Sequence, residues 1–484
     1  MENNTYIKDY LTGFLKPDGN EIVFSLYDGL KVSDITYAQF LEDILRCAGF
    51  FSRLASRGKH IALIAPNSYN WLVCFFGILA SGNVVVPLNQ ALPAATLTKQ
   101  MEHADISVVC CCDANKEALK QLSPHLKYFS LDENIYSDAI GLDDIYCPGS
   151  DETMLMVSTS GTTGESKLAE FTYVGLENSV MLSRPDFDVI FRDIELKKYY
   201  LCLPLFHTGG LITLLSIIRL RVTACLGRGL THVFEDLSVF NPDATSLVPA
   251  IMEVAIKLMK QTSTPREIEK ILGNRMKVLV TGSASISTDS CAYVMDHGFK
   301  VFEYYGMTET GGLGTRCILD ADHLGSIGTA YGGISCRIED GELLMSGPSL
   351  MKGYYKDPAG TAAILKDGWL YTGDLARQDD DGYFYIIGRK KNVIILSNGE
   401  NVNPEEIEAA LSVCPDVLEC MVYGDKKGIL ADVYTNDEKN VAAFVKKYNE
   451  QVPMYRQIYK VNYSDTPLEK TGIGKIKRKE NEYV

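Results

Sequence analysis

The runs IALIAP (61–66), SYNWLVCFFGILASG (68–82), NVVVPL (83–88), ATLTKQMEHAD (95–105) and ISVVCCCD (106–113) alternate short apolar blocks with longer amphipathic ones. Short apolar blocks rich in β-branched residues read as buried strands, and the longer segments as helices, so the order is strand, helix, strand, helix, strand. That order builds a parallel, doubly wound sheet. It returns in DATSLVP (243–249), IMEVAIKLMKQ (251–261), KVLVTGSA (277–284), DSCAYVMDHG (289–298) and KVFEYYG (300–306), so two related sheets are expected in one large α/β unit.

From about Asp340 the texture changes. DGELLMSGPSLMKGYY (340–355) and DGWLYTGDLARQDDDGYFYIIGRKKNVII (367–395) read as short antiparallel strands with tight turns. The tail after Lys391 has one helix from Pro404 to Val413, another from Val441 to Gln451, and strands between them, enough for a small α+β domain. No short internal repeat is visible. The stretch Tyr199–Ile218 carries no charge, yet Pro204, His207, Gly209 and Gly210 interrupt it. It reads as a buried strand, a loop and a buried helix rather than a membrane span.

The 484 residues are 46% hydrophobic and 23% charged, which exceeds what a single core organises and excludes disorder. Lys plus Arg number 47 against 62 Asp plus Glu, a net charge of −15 that disfavours nucleic acid or an anionic membrane as the main partner. A small-molecule partner is expected instead. The 13 cysteines, including Cys110, Cys111 and Cys112, show no metal or redox spacing and point to reduced thiols in the cytoplasm. MENNTYIKDYLTGFLKPDGN (1–20) lacks a basic start followed by an apolar block, so no secretory signal is read and the mature chain is expected to begin near Met1.

The sharpest local signal is STSGTTGESK (158–167), which follows the apolar MLMV. Its glycines, Ser and Thr hydroxyls and terminal Lys167 suit an oligophosphate, although the spacing is not that of a Walker A loop and composition alone also fits a solvated linker. This segment closely resembles the signature loop of the adenylate-forming superfamily, which includes acyl-CoA synthetases, adenylation domains and luciferases. PLFH (204–207), TGSASIS (281–287), YYGMTET (304–310), GWLYTGD (368–374), GRKKNVIILSNGENVNPEEIE (388–408) and EKTGIGKIKR (469–478) follow in the family's order. The resemblance spans about residues 35 to 480.

It implies a large N-terminal domain over 1–390, made of doubly wound sheets plus a small distorted β-barrel, and a small mobile α+β lid over 391–484. It also implies ATP-dependent activation of a carboxylic acid to an acyl-adenylate, with release of pyrophosphate and transfer to the thiol of CoA. The alternative acceptor is a carrier protein's phosphopantetheine. Mapped onto this chain, Thr159, Ser160, Gly161, Thr162, Thr163, Gly164 and Lys167 would hold the phosphates. Gly282, Ser283, Ala284, Tyr304, Tyr305, Gly306, Met307, Thr308 and Ile386 would line the nucleotide, with Tyr305 stacked on adenine and Thr308 on a phosphate oxygen. Glu309 would hold Mg²⁺, Asp374 the ribose hydroxyls, and Arg389 the ribose or phosphate.

The acyl pocket would include His207, Gly282, Gly306 and Met307, and catalysis would fall to Lys475, Thr308, Glu309 and His207. Lys391 would be the hinge and Gly399 would flank the thiol tunnel. The chain departs from the family at Ser166 and Glu469, where proline is usual. Because the acid's own carboxylate would attack the α-phosphorus, no enzyme nucleophile is needed, and positioning and charge neutralisation would carry the reaction.

Overall fold

The computed structural model describes residues 6–15, 19–133, 138–159, 167–262, 265–282, 286–396, 400–425, 427–470 and 476–479. The opening stretch folds as strand His60–Ile64, helix Tyr69–Ala80, strand Val84–Pro87, helix Ala94–His103 and strand Ile106–Cys111. These strands pair in parallel, and Lys127–Ser130 and Thr153–Ser158 extend the parallel set on either side. Leu168–Thr172 then turns back antiparallel, and Gly353–Tyr354 pairs with it from far along the chain, giving seven strands.

A second sheet has nine strands. From Lys300–Tyr305 through Val278–Gly282, Ala244–Ser246, Lys198–Leu201 and Thr223–Leu226 to Ile22–Tyr27, every pairing is parallel. Antiparallel strands close both edges: Thr315–Ile318 with Thr329–Ala330 on one side, Val32–Thr36 on the other. The chain steps from Lys198–Leu201 to Thr223–Leu226 on one side, then to Ala244–Ser246 on the other. Such a reversal opens a crevice at the carboxyl ends of the strands.

Alternation along one strand shows how the layers form. Ile61 and Leu63 enter the largest core cluster, whereas Ala62 and Ile64 enter a second cluster with Leu97 and Met101 of helix Ala94–His103. The largest cluster also takes Val23, Phe24, Tyr199 and Leu201 from the nine-stranded sheet, so it fills the space between the sheets. Helix Tyr69–Ala80 lies there and is buried on all sides from Trp71 to Ala80, as its uniformly apolar sequence requires. Ser68 caps it by accepting from the Trp71 N–H. The uncharged stretch resolves into strand Lys198–Leu201 and helix Thr208–Arg219, and among the described residues no helix is long and apolar enough to cross a membrane.

Residues 335–389 contribute a five-stranded half-barrel sheet that starts with Ser335–Glu339 and in which Trp369–Gln378 pairs antiparallel with Phe384–Arg389. By its contacts the chain divides into two compact units, 1–336 with 345–370, and 337–344 with 371–484. In the second unit, Glu419–Asp425 and Gly428–Tyr434 make a hairpin, with Ile458–Ser464 parallel to its second strand. Helices Pro404–Leu411 and Glu438–Gln451 accompany them, and the core is built from Ile407, Leu411, Val422, Val433, Val441 and Ile458.

Gly77 marks the tightest helix approach in the first core. A Cβ there would lie 2.7 Å from Cys47 Sγ and 3.2 Å from the Ala48 backbone nitrogen. Alanine would gain about 0.5–1 kcal/mol from helix propensity but lose about 1–3 kcal/mol to overpacking. Gly77→Ala is therefore expected to destabilise the protein, read as a lower urea midpoint for this unit.

Candidate active site

The expected site segments emerge at one edge of the nine-stranded sheet. Strand Lys198–Leu201 leads into the 204–207 loop, Val278–Gly282 ends on Gly282, and Lys300–Tyr305 leads into a helical turn at Thr308–Thr310. Parallel pairing puts these carboxyl ends side by side, Gly282 opposite Tyr304. His207 is half-buried, stands before helix Thr208–Arg219, and meets the Phe206 ring at 4.5 Å between centroids.

Several glycines here have a steric cause. A Cβ on Gly282 would lie 2.5 Å from the Tyr304 carbonyl oxygen, and one on Gly306 would lie 2.5 Å from that of Gly312. The Thr308–Thr310 turn is locked by its own side chain, since Thr310 Oγ1 accepts from the Met307 N–H at 3.1 Å. Gly311 follows at φ 66°, where a glycine is nearly free of strain.

Glu309 is buried, and its Oε1 accepts a 2.6 Å hydrogen bond from the Tyr354 hydroxyl. Its carbonyl accepts from the Met351 N–H at 2.9 Å. Burial and the Glu309 charge push the Tyr354 phenol far above its ordinary pKa, so it remains the donor. Lys167 Nζ lies 4.6 Å from the centre of the same Tyr354 ring and 2.8 Å from Asp357 Oδ2. Asp357 also caps helix Pro358–Ile364 by accepting from the Gly360 N–H at 2.7 Å, and Lys167 with that bond holds its carboxyl below the usual range. Thr159, on the other side of residues 160–166, donates its N–H to the Lys167 carbonyl at 2.8 Å.

Tyr354 and Asp357 were not among the expected site residues. Their segment, MKGYYKDP (351–358), has no internal signal beyond the Asp-Pro helix start, because what matters is its pairing with Leu168–Thr172. Glu303 was also missed. It is buried opposite Thr281, its side chain has no hydrogen-bond or ion-pair partner among the described residues, and desolvation pushes its carboxyl up to about 7. Thr281 Oγ1 is likewise buried without a hydrogen-bond partner.

Beneath Tyr304 lies a cavity of about 50 Å³. Its described lining comes from the ends of helices Tyr173–Ile190 and Thr208–Arg219, strands Val278–Gly282 and Lys300–Tyr305, and the Gly312–Leu313 turn. Gly209 and Tyr304 border it, whereas His207, Gly282, Gly306 and Met307 are not in that lining.

In the second unit Asp374 and Arg389 are cross-strand partners, and Arg389 Nε approaches Asp374 Oδ1 at 2.5 Å. Asp374 is buried, and Ile386 faces Ala376 on the same pair of strands. Lys391 follows in a helical turn, where burial and the charges of Arg389 and Arg478 lower its pKa. Residues 471–475 are bracketed on both sides: Lys470 bridges Ile476 and pairs with Glu419 Oε1 at 2.6 Å. Arg478 forks onto Glu408 at 2.9 and 2.7 Å. Ser160, Gly161, Thr162, Thr163, Gly164, Ser166, Ser283, Ala284, Gly399 and Lys475 lie outside the described residues.

The family model described as AMP-binding enzyme matches residues 16–355, and its C-terminal-domain model matches 391–483. The chain belongs to the AMP-binding enzyme family. Among family members, a feruloyl-CoA synthase of an Amycolatopsis species is 28% identical over 417 residues, covering 81% of this chain and 80% of the relative. A long-chain-fatty-acid–CoA ligase of Mycobacterium tuberculosis is 27% identical over 482 residues, 91% of each. The solved o-succinylbenzoate CoA synthetase of Bacillus subtilis, in complex with its acyl-adenylate intermediate, superposes with a TM-score of 0.85 at 23% identity. It covers 99% of this chain and 97% of that one, which establishes the shared fold.

Two outcomes follow from this geometry. Tyr354→Phe removes a hydrogen bond to a charged group, worth about 1.5–3 kcal/mol, and is expected to slow acid-dependent ATP–pyrophosphate exchange at least about tenfold. For Glu303, the folded state holds a proton that the unfolded state releases, so stability falls as pH rises from the ordinary carboxyl range through about 7. Glu303→Gln is expected to raise the melting temperature at pH 8 and leave it nearly unchanged at pH 4.

Proposed function

We propose that the chain is an AMP-forming acid–CoA ligase: it activates a carboxylic acid with ATP, releases pyrophosphate, and transfers the acyl group from the adenylate to CoA. The observation that carries this reading is the cluster at the strand carboxyl ends, where Tyr354 joins the Glu309 carboxylate to the Lys167 ammonium. The two family models and the CoA ligases among the relatives support it.

In the first step the acid's carboxylate attacks the α-phosphorus of ATP and pyrophosphate leaves. Lys167, drawn from Asp357, would meet the departing phosphates together with Thr159 and the hydroxyls of 160–166. The site fits Mg²⁺: a buried carboxylate oxygen of Glu309, oriented by Tyr354, is a hard donor. Among the described residues no cluster of three or more ligating side chains exists, so phosphate and water oxygens would complete the shell. The ion, when bound, neutralises phosphate charge. Tyr305 would stack on adenine, Thr308 would bond a phosphate oxygen, and His207 would stand at the entrance for the acid. Asp374 and Arg389, already adjacent, would take the ribose diol and the neighbouring phosphate.

Lys475 would stabilise the charge at the reacting phosphorus, an electrostatic contribution of several kcal/mol. The 1–390 and 391–484 division, with a rotation at Lys391, would then withdraw Lys475 and bring Gly399 beside the pantetheine arm. Reduced cysteines throughout the described chain suit a cytoplasmic location.

The test separates the half-reactions. Lys475→Ala is expected to abolish adenylate formation yet leave CoA-dependent consumption of a preformed acyl-adenylate within about threefold of the parent. Equal loss of both steps overturns the division of labour. Offering CoA and a holo carrier protein in competition after adenylation decides the acceptor, with CoA expected to take the acyl group.

A further inference from the structure

The relatives named above act on acids as different as a hydroxycinnamic acid and a long-chain fatty acid, so resemblance does not choose the acid for this chain. The cavity beneath Tyr304 does. Its aliphatic and aromatic walls include Ile190, Ile212, Val280, Phe302 and Leu313, all buried, and no described lining residue carries a charge.

Four of the six hydroxyls in the described lining, those of Ser183, Tyr199, Thr213 and Ser216, already take part in hydrogen bonds within the protein. Ser183 donates to the Val180 carbonyl and shares a 2.8 Å hydrogen bond with Ser216. Thr213 donates to the Gly209 carbonyl at 2.7 Å, and the Tyr199 hydroxyl is shared with Ser246. A polar group at the far end of a substrate would give up its water for walls that are mostly apolar. A second carboxylate would fare worse, since no cation stands in the described lining.

Size narrows the choice further. At about 50 Å³ the cavity is small, which limits the length of tail that can enter it. Resting on the ligase reading above, we propose that the acid is short and uncharged beyond its carboxyl group: a straight or branched aliphatic acid of about four to six carbons. Its carboxylate would sit at the strand ends near His207 and Thr308, and its tail would enter between Ile212 and Phe302. The Ser183–Ser216 pair sits in the wall as a closed hydrogen-bonded unit and sets part of the pocket's limit without touching the reacting atoms.

The experiment is acid-dependent ATP–pyrophosphate exchange by the full chain, across straight-chain acids from acetate to palmitate, with isovalerate, benzoate, ferulate, succinate and glutarate alongside. The expected result is a maximum of kcat/KM at about four to six carbons, falling about tenfold or more by acetate and by octanoate, and about a hundredfold or more for the dicarboxylates, since one methylene is worth about 10–200-fold in such pockets. Phe191→Ala and Ile212→Ala each widen the cavity and should move the maximum one or two carbons longer. A variant that merely unfolds loses all acids alike, and the other then carries the test. A wild-type maximum on palmitate, ferulate or a dicarboxylate overturns the proposal while leaving the ligase reading intact. Exchange with none of the acids overturns the ligase reading itself.

Discussion

The hydrogen bond from Tyr354 to Glu309 fastens together parts of the chain that the sequence keeps apart. Tyr354 belongs to a two-residue strand on the seven-stranded sheet, and Glu309 to the turn that ends a strand of the nine-stranded one. Two backbone-level contacts reinforce the junction: the Met351 N–H donates to the Glu309 carbonyl, and Ser349 Oγ donates to that of Thr310 at 3.0 Å. Because the phenol is buried and held neutral, it can act only as a donor to the carboxylate. One Glu309 oxygen is thus committed to the phenol, and Lys167 Nζ lies 4.6 Å from the centre of the same ring. A carboxylate and an ammonium are in this way held near one side chain, Glu309 by its hydroxyl and Lys167 by its ring face.

The charge balance of −15 gains a local meaning in this light. Lys167 and Arg389 each already hold a carboxylate, Asp357 and Asp374 respectively. For the partly exposed Lys167–Asp357 pair, worth about 0–1 kcal/mol, exchanging the carboxylate for a phosphate of higher charge would cost little, whereas Asp374 is buried and its pairing with Arg389 carries more weight. An acidic exterior with cations parked on carboxylates disfavours polyanions in general while leaving room for one nucleotide. Glu303 is the exception to this economy: it is buried with no compensating cation, and neutrality rather than pairing is how it is accommodated.

Much of the fold was legible because period and length are local properties. The alternation at 61–113 and 243–306 corresponds strand for strand and helix for helix to the two sheets, and the shift after Asp340 corresponds to the half-barrel strands. What escaped was long-range or weakly patterned. Helix Pro265–Leu272 follows a Ser/Thr/Pro stretch that reads as loop, and the Ile22–Thr36 hairpin has too few residues per strand to announce an edge. Gly353–Tyr354 was read with the antiparallel material beside it, yet it completes the other sheet, since pairing partners almost two hundred residues away leave no mark on local periodicity. The same blindness hid Tyr354 and Asp357 from the site, whereas Gly282 and Gly306 were visible because backbone crowding leaves only glycine possible there.

The described residues on either side of 471–475 are held by carboxylates of the second unit. Lys470 is fixed by Glu419 and by its bridge to Ile476, and Arg478 by the paired oxygens of Glu408, a carboxylate that burial raises in pKa despite the guanidinium beside it. Lys479 adds a contact to Asp432 at 2.6 Å. Ion pairs on both sides of 471–475 thus set the course of the chain at Lys470 and at Arg478. A planar fork at Arg478 suits that task better than a lysine, because two parallel hydrogen bonds fix direction as well as distance.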